Sequence, residues 1–402
     1  MEILLVVNFG GSSFKYRAYS LIDGSLVGRG RIENLGSSYA TMKIWKEDGK
    51  TISKNLGELT QEDSLRMLFN DLIKDGGLIG SLSDIKYVAH KLAHGGPHYI
   101  STALIDEDLE RAVEEFASVV PIHNTASLNA IRIIRRVLPY CNQIAVFETE
   151  FHKDLPEYAT IYGFPYEFKE KYGIRKYGFH GASHRYISEQ VKTIVGNEVE
   201  EIKLVSCHLG SGTSVAAIHN GKSIEISSGF TPQSGTMMST RAGDYDGEVL
   251  NYLQKVVRMD QDQIRKVLNE ESGLKGISGI SGDLVAVLKA VEDGNRRAML
   301  AVDAFCYRVR LYIGMSAAAL NGVNVLTFTG GIGENSPEIR GRIVVGLDYL
   351  GLHIDPELNR SIKSGKISSI GSKVKVLLIE TDEEIIVARE ALKLINKWEV
   401  EK

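Results

Sequence analysis

A chain of 402 residues, 43% apolar and 24% charged, is long enough for two domains, each with a core of its own. A net charge of −4 and the lack of a long basic run argue against nucleic acid as a partner. Cys141, Cys207 and Cys306 form no CxxC pair, and no leader-like start or run of about eighteen apolar residues is present. The sequence therefore predicts a cytoplasmic protein without a disulfide framework, a thiolate zinc site or a membrane segment.

Residues 4–15, LLVVNFGGSSFK, read as an apolar strand from Leu4 to Val7, a polar Asn8, and a Gly-Gly-Ser-Ser turn. A second strand follows from Phe14 to Leu21. The pattern returns at residues 204–218, LVSCHLGSGTSVAAI, where Asn8 meets His208, Gly10 meets Gly210, Ser12 meets Gly212 and Ser13 meets Thr213. Small residues in such a turn let backbone N–H groups approach an anion, and hydroxyls add donors. Either copy alone is equally compatible with an ordinary glycine-turn hairpin. The echo points to two similar half-molecules gripping a polyanion between them.

Further along, residues 16–34 predict paired strands with a turn at Asp23-Gly24, and residues 42–55 a hairpin around Asp48-Gly49. Thr60 and Asp63 resemble a capping box opening a helix whose stripe is Leu65, Leu68, Phe69, Leu72 and Ile73, ended by Gly76-Gly77. A strand over 85–89 runs into His90-Lys91-Leu92-Ala93-His94-Gly95-Gly96, read as a turn crowded with cationic groups. Helices from about Glu107 and Asn124 flank Pro121-Ile122-His123, and a buried strand over 143–147 ends at Glu148. In the second half the reading gives strands over 202–208 and 213–219 and helices through 244–271. A long helix from about Asn295 to Leu320 and a strand over 323–329 follow, the strand entering Gly330-Gly331-Ile332-Gly333-Glu334-Asn335 as a loop. A strand over 374–379 and a helix over 382–398 close the chain. Strands running into helices, with hairpins added, predict α/β layers with mixed sheets and a boundary near residue 150.

Nine of the ten histidines lie between residues 90 and 219, several beside glycine at strand ends, where α/β folds place ligands. A histidine in a turn is also a common surface donor. His180 and His184 have i, i+4 spacing, but no glutamate stands between them and Gly181 weakens a helix there, so zinc is not expected. Asn220-Gly221-Lys222-Ser223 resembles the end of a P-loop, yet Ala216 occupies the place of its first glycine, which predicts a hairpin tip. Gly330 to Gly333, after an apolar strand, suits a flat base or ribose against the backbone and equally a tight crossover.

Together these motifs resemble the acetate kinase family, short-chain carboxylate kinases of the acetate and sugar kinase and actin superfamily. The likeness spans nearly the whole chain. It rests on residues 8–13 (NFGGSS), 94–96 (HGG), His123-Asn124, 177–186 (YGFHGASHRY), 207–210 (CHLG), 229–232 (GFTP), 237–241 (MMSTR), 330–335 (GGIGEN) and 381–384 (TDEE). The resemblance implies two duplicated actin-like (ribonuclease H-like) domains, mixed sheets flanked by helices, with a cleft between them. It places an N-terminal domain at 1–150, with helix 385–402 packed on it, and a C-terminal domain with a nucleotide-binding loop at 151–384. It also implies a cytoplasmic homodimer that acts on a small carboxylate and a nucleotide.

The implied reaction moves the γ-phosphoryl group of ATP to a carboxylate, with Mg²⁺ or Mn²⁺, giving an acyl phosphate and ADP. By resemblance Arg241 steadies the transferring group, His180 meets its equatorial oxygens, His123 is a second donor, and Glu148 completes the catalytic set. Asn8 and Glu384 match the metal site. Ser12, Ser13, Lys15, His208, Gly210, Ser211, Gly212, Asp283, Gly330, Gly331, Ile332, Gly333 and Asn335 match positions that hold nucleotide and phosphate. Lys91, Ala93, Ile122, Phe179 and Pro232 match the acceptor site. Taken singly, Arg241 and Glu384 read as surface ion pairs.

Several positions depart from the family pattern: Lys91 for arginine, Glu148 for aspartate, Ser211 for asparagine, Gly11 for serine and Ala182 for threonine. A lysine gives one compact charge where a planar fork could bind a carboxylate twice. Ala93 replaces a valine and leaves room for about two carbons, each buried methylene being worth about 0.8 kcal/mol. The acceptor is expected among acetate, propionate and butyrate. Pyrophosphate as donor, or a weakly catalytic nucleotide-binding regulator, are the competing readings.

Overall fold

The computed structural model describes residues 2–10, 13–35, 37–46, 51–73, 78–196 and 198–401. Ser12, the Asp48-Gly49 turn and the Gly76-Gly77 helix end lie outside them, as does the side chain of Ile122. In chain order the first elements are β1 (Ile3–Phe9), β2 (Ser13–Ser20), β3 (Leu26–Glu33), β4 (Thr41–Lys46), β5 (Thr51–Asn55), α1 (Gln61–Ile73), β6 (Ile85–Leu92), β7 (Ala103–Leu104), α2 (Glu107–Glu115), α3 (Pro121–Val137) and β8 (Asn142–Phe147). Next come α4 (Glu157–Thr160), α5 (Tyr166–Tyr172), α6 (Gly181–Val195), β9 (Lys203–Leu209), β10 (Thr213–His219), β11 (Lys222–Ile226), α7 (Glu248–Tyr252), α8 (Gln261–Lys266), α9 (Gly273–Ser278), α10 (Leu284–Glu292) and α11 (Arg296–Ala319). The chain ends with β12 (Val325–Thr329), α12 (Gly330–Asn335), α13 (Pro337–Val344), α14 (Pro356–Ser361), β13 (Gly365–Lys366), β14 (Lys375–Leu378) and α15 (Glu383–Glu401). Two compact units result, Met1–Glu150 with Asp382–Lys402, and Phe151–Thr381.

The first unit is built on one sheet in the order β5-β4-β3-β2-β1-β6-β8-β7. β1, β6 and β8 run parallel, while β2 to β5 form an antiparallel meander. Alternation along β1 decides its packing, since successive side chains leave a strand on opposite faces. Ile3, Leu5, Val7 and Phe9 join the core made with α1 and α3, whereas Leu4 and Val6 face Val387, Ala388 and Ala391 of α15. The expected capping box opens α1: Thr60 N–H donates to Asp63 Oδ2 at 3.2 Å, and Asp63 N–H to Thr60 Oγ1 at 3.1 Å. Leu65, Leu68, Phe69 and Leu72 bury the expected stripe, each worth about 2 kcal/mol over exposure. Ile73 points to solvent instead.

The second unit holds a sheet in the order β11-β10-β9-β12-β14-β13. Val205, Cys207 and Leu209 of β9 pack with Phe305 and Val309 of α11, while Leu204 packs with Ile187 and Val191 of α6. Five strands of each sheet share one plan. The series β3-β2-β1-β6-β8 and β11-β10-β9-β12-β14 both place an antiparallel hairpin beside three parallel strands. Asn8 pairs with Lys15 one step from the end of its hairpin, and His208 pairs with Ser214 at the same step of the other. The repeated motif of the sequence is thus a repeated hairpin in a repeated mixed α/β layer.

Four expectations need correction. His90, Lys91 and Leu92 continue β6 rather than forming a turn, because the buried His90 ring meets Gln143 of β8 at 2.7 Å. Burial pushes the His90 imidazole down to about 4, so it adds no charge at neutral pH. α3 starts at Pro121, not Asn124, since proline fits the first helical turn, where its missing N–H costs nothing. Gly330 to Asn335 is the short helix α12 rather than a loop. The helical stretch 244–271 is broken into α7 and α8, each running into a π-helical turn, Leu253–Val257 and Val267–Glu271. Asn220 and Gly221, both at positive φ, form the expected hairpin tip between β10 and β11.

Candidate active-site clusters

In the first unit the polar residues sit where three parallel strands end. Asn8, Lys91 and Glu148 each follow, by two residues, an apolar side chain that faces α15: Val6 on β1, Ala89 on β6 and Val146 on β8. The strand period therefore aims all three at the beginning of α15, which carries Glu383 and Glu384 in its first turn with Asp382 just before it. Lys91 Nζ bonds both Glu148 Oε1 and Glu383 Oε2. Asn8 Nδ2 donates to Glu384 Oε1 at 3.3 Å. Arg17 of β2 reaches Asp382 at 2.8 Å and Glu384 at 3.5 Å, and the half-exposed Lys15 lies 3.8 Å from Glu384.

Burial sets the electrostatics of this cluster. The side chains of Lys91 and Glu148 are 14% and 9% exposed. Burial alone would depress the Lys91 ammonium, but the two glutamates reverse that and hold its pKa above the ordinary lysine range. The Glu148 carboxyl is raised, chiefly by burial, with Lys91 opposing and Glu383 adding to the shift. Among the described residues Glu148 Oε2 has no hydrogen-bond partner. Elsewhere in the unit, His123 lies in the first turn of α3, beside a buried Asn124 that donates to His94 O at 2.9 Å. Ala93 is buried just past β6.

The cationic cluster belongs to the second unit. Its hub is the turn Gly210-Ser211-Gly212 between β9 and β10, closed by Gly210 N–H donating to Gly212 O at 3.0 Å. His180 precedes α6 at φ 57°, a left-handed conformation that a non-glycine residue adopts rarely and that gathers at functional sites. A Cβ at Gly212 would lie 3.1 Å from His180 Nε2, a tight contact, and 3.4 Å from Arg241 Nη1, so glycine gives the His180 ring room beside the turn. Arg241 Nη1 also donates to Pro232 O at 3.0 Å, and burial draws its pKa down. The His180 and His208 rings stack at 4.3 Å. Ser183 Oγ lies 2.8 Å from His208 Nδ1 and 2.9 Å from Thr381 Oγ1. Phe179 is buried, its N–H donating to Ser228 Oγ.

α12 is fastened at both ends. Glu334 Oε1 accepts from Gly330 N–H at 2.8 Å and Thr381 N–H at 3.1 Å. Gly330, at φ 77°, presses against β9, where a Cβ would meet Leu209 O at 2.8 Å. Ile332 packs on the core, and Asn335 Nδ2 donates back to Gly331 O. Asp283, expected at the nucleotide, caps α10 through Val285 N–H at 3.1 Å. Ser13 begins β2, its carbonyl accepting from Gly10 N–H at 2.8 Å. Asp382, Glu383, Ser183, Ser214 and Glu334 lie within motifs quoted from the sequence, and Arg17 within a strand read there, but none of the six was given a role. Strand alternation could have named Arg17 and Ser214, whereas the choice of Glu383 needs the register of α15.

The Lys91 pairing has a direct test. Lys91→Met leaves the buried Glu148 carboxylate without its cation and should cost about 3 kcal/mol or more. Lys91→Arg should cost less than about 1.5 kcal/mol, because the charge is kept. Chemical unfolding of the first unit, followed by hydrogen exchange in β6 and β8, measures both; equal stability of the Met variant and the parent would refute the pairing.

Residues 3–389 match the Acetokinase family. The acetate kinase of Acetivibrio thermocellus is 41% identical over 398 residues, covering 98% of this chain and 99% of that one. Among solved structures, acetate kinase from Porphyromonas gingivalis superposes with a TM-score of 0.85 at 35% identity, over 98% of this chain and 100% of that one. A propionate kinase from Francisella tularensis does so with a TM-score of 0.88 at 33% identity, over 97% and 99%. With family, relatives and solved structures agreeing over almost the full length, the chain belongs to the acetokinase family.

Proposed function

We infer that the chain transfers the γ-phosphoryl group of ATP to the carboxylate of a short acid, reversibly giving an acyl phosphate and ADP. The observation that carries the reading is the approach of His180 Nε2 and Arg241 Nη1 to one glycine of a phosphate-type turn. Donor, acceptor and transferring group are all anions, so fixed N–H donors and cations lower the barrier where a base is not needed. Arg241, half-buried and charged, acts on a phosphoryl oxygen more strongly than it could in water. His180 offers an N–H to a second oxygen, and His123 a further donor.

Ser12, Ser13, Lys15, His208, the Gly210–Gly212 turn, Asp283 and α12 are assigned to the nucleotide. Lys91 is assigned to the acceptor carboxylate, with Glu148 holding it, and Ala93, Ile122, Phe179 and Pro232 to the acyl chain. Asn8 and Glu384 fit Mg²⁺ or Mn²⁺, which take hard oxygens from one or two protein groups and the rest from phosphates and water. Bound there, the ion would neutralise phosphate charge. The exposed face of α11, with Met299, Tyr307, Leu311 and Met315 four or eight residues apart, fits a second copy of this chain. Abundant ATP and three unpaired thiols fit the cytoplasm.

Three measurements follow. With Mg-ATP, hydroxamate trapping across formate to valerate should give product with acetate or propionate and lose it when EDTA is added; no product with any acid would end the reading. Gly212→Ala should lower kcat by about a hundredfold, since small displacements of positioned groups are costly, and an unaltered kcat would remove the turn from the site. Light scattering should return twice the 44.3 kDa chain mass, with a monomer as the contrary result.

A further inference from the structure

Behind His180 runs a buried line of hydroxyls and imidazoles. His180 Nδ1 lies 2.8 Å from Ser214 Oγ, Ser214 Oγ lies 2.8 Å from His184 Nε2, and His184 Nδ1 lies 3.0 Å from Ser206 Oγ. Ser206, Ser214 and His184 are fully buried. Strand alternation puts the two serines there: Ser206 shares the α6 face with Leu204, and Ser214 shares it with Ala216. His184 stands one helical turn after His180 on α6.

A neutral imidazole has one N–H and one bare nitrogen, and a hydroxyl has one proton to donate. The line can therefore be ordered in two directions, since an arrangement in which both rings donate to Ser214 Oγ leaves the Ser214 proton without an acceptor among the described residues. In one, Ser206 O–H donates to His184 Nδ1, His184 Nε2–H to Ser214 Oγ, and Ser214 O–H to His180 Nδ1. In the reverse order His180 Nδ1–H donates to Ser214, Ser214 to His184 Nε2, and His184 Nδ1–H to Ser206. That order strands the Ser206 hydroxyl proton, because among the described residues its only hydrogen-bond partner is His184. A buried donor without an acceptor is the costlier arrangement.

We propose that Ser214 and His184 are positioning residues that fix the tautomer of His180, so that its proton sits on Nε2, the nitrogen facing Gly212. With that order the neutral ring presents a donor toward the turn; with the other it would present a lone pair and repel a phosphoryl oxygen. No proton is lost or gained in the arrangement. The consequence for turnover rests on the phosphoryl-transfer reading, but the tautomer itself does not.

The test is long-range ¹H–¹⁵N correlation on the full chain with ¹⁵N-labelled histidine, the His180 and His184 signals being assigned by their loss in His180→Gln and His184→Gln. Protons on Nε2 of both rings are expected, and an Nδ1–H tautomer at His180 overturns the proposal whether or not any variant folds. Ser214→Ala should then lower kcat about tenfold with the KM for ATP changed less than about twofold, while Ser214→Thr, which keeps the hydroxyl, retains most of the rate. A Ser214→Ala enzyme with the parent kcat overturns it as well. A parent chain that makes no acyl phosphate would instead sink the phosphoryl-transfer reading and leave the tautomer measurement standing.

Discussion

A strand must show alternate side chains to opposite faces, and that constraint places the strand-borne polar groups of both clusters. In the first unit the face of β1, β6 and β8 that carries Val6, Ala89 and Val146 under α15 carries Asn8, Lys91 and Glu148 two residues later. In the second, the α6 face of β9 and β10 carries Leu204, Ala216 and Ile218, and beyond them Ser206, His208 and Ser214. Each sheet thus has an apolar middle and a polar end on the same face. The apolar middle fixes the register, because a slip of one residue would turn the polar set away from its partners and onto the other packed face. Packing thereby holds the chemistry in place without help from the polar residues themselves.

The two clusters differ in sign. Around Glu384 the cations Lys15, Arg17 and Lys91 face the carboxylates Glu148, Asp382, Glu383 and Glu384. The excess negative charge sits at the N-terminus of α15, whose dipole stabilises it. Around Gly212 stand Arg241 and the imidazoles of His180 and His208, within the hydrogen-bonded serines. A buried ion pair contributes little net stability, and removing one partner costs much more than removing both. Lys91 and Glu148 form such a pair, with Glu383 as its third member.

Much of this was legible because it was local. The hairpin echo showed in glycine, serine and histidine at matching spacing, the α1 cap in Thr60 and Asp63, and the α11 start in Asn295, whose side chain accepts from Ala298 N–H at 3.0 Å. What was not legible depends on distant partners. His90 and Lys91 looked like turn residues because both are polar; they lie in a strand because Gln143, Glu148 and Glu383 satisfy them there. In the acidic run 381–384 the sequence does not tell which carboxylate meets which cation, since one residue along a helix turns a side chain by about 100°. His184 drew attention for its spacing to His180, as a metal ligand that was then set aside. Its actual partners, Ser206 and Ser214, lie 22 and 30 residues away on two strands.

α12 shows how a stretch rich in glycine becomes a helix at all. Three glycines in six residues disfavour a helix by about 1 kcal/mol each against alanine. The deficit is met by contacts that act only in the folded unit. Glu334 accepts from Gly330 N–H at the start of the helix. At its end the buried Arg340 donates through Nη1 to Gly333 O at 2.7 Å and Glu334 O at 3.0 Å, and through Nη2 to Asn359 O at 2.5 Å. Among the described residues no carboxylate pairs with this guanidinium, and burial draws it down to about 10, so it is still charged at neutral pH. The carbonyl ends of α12 take the place of a counterion, which is the favourable arrangement at a helix C-terminus. Glycine is kept at 330 because β9 leaves no room for a Cβ, and Arg340 holds the resulting weak helix closed. The backbone that the proposed nucleotide would meet is thus set by a buried cation on α13, a full turn beyond the motif that sequence reading singles out.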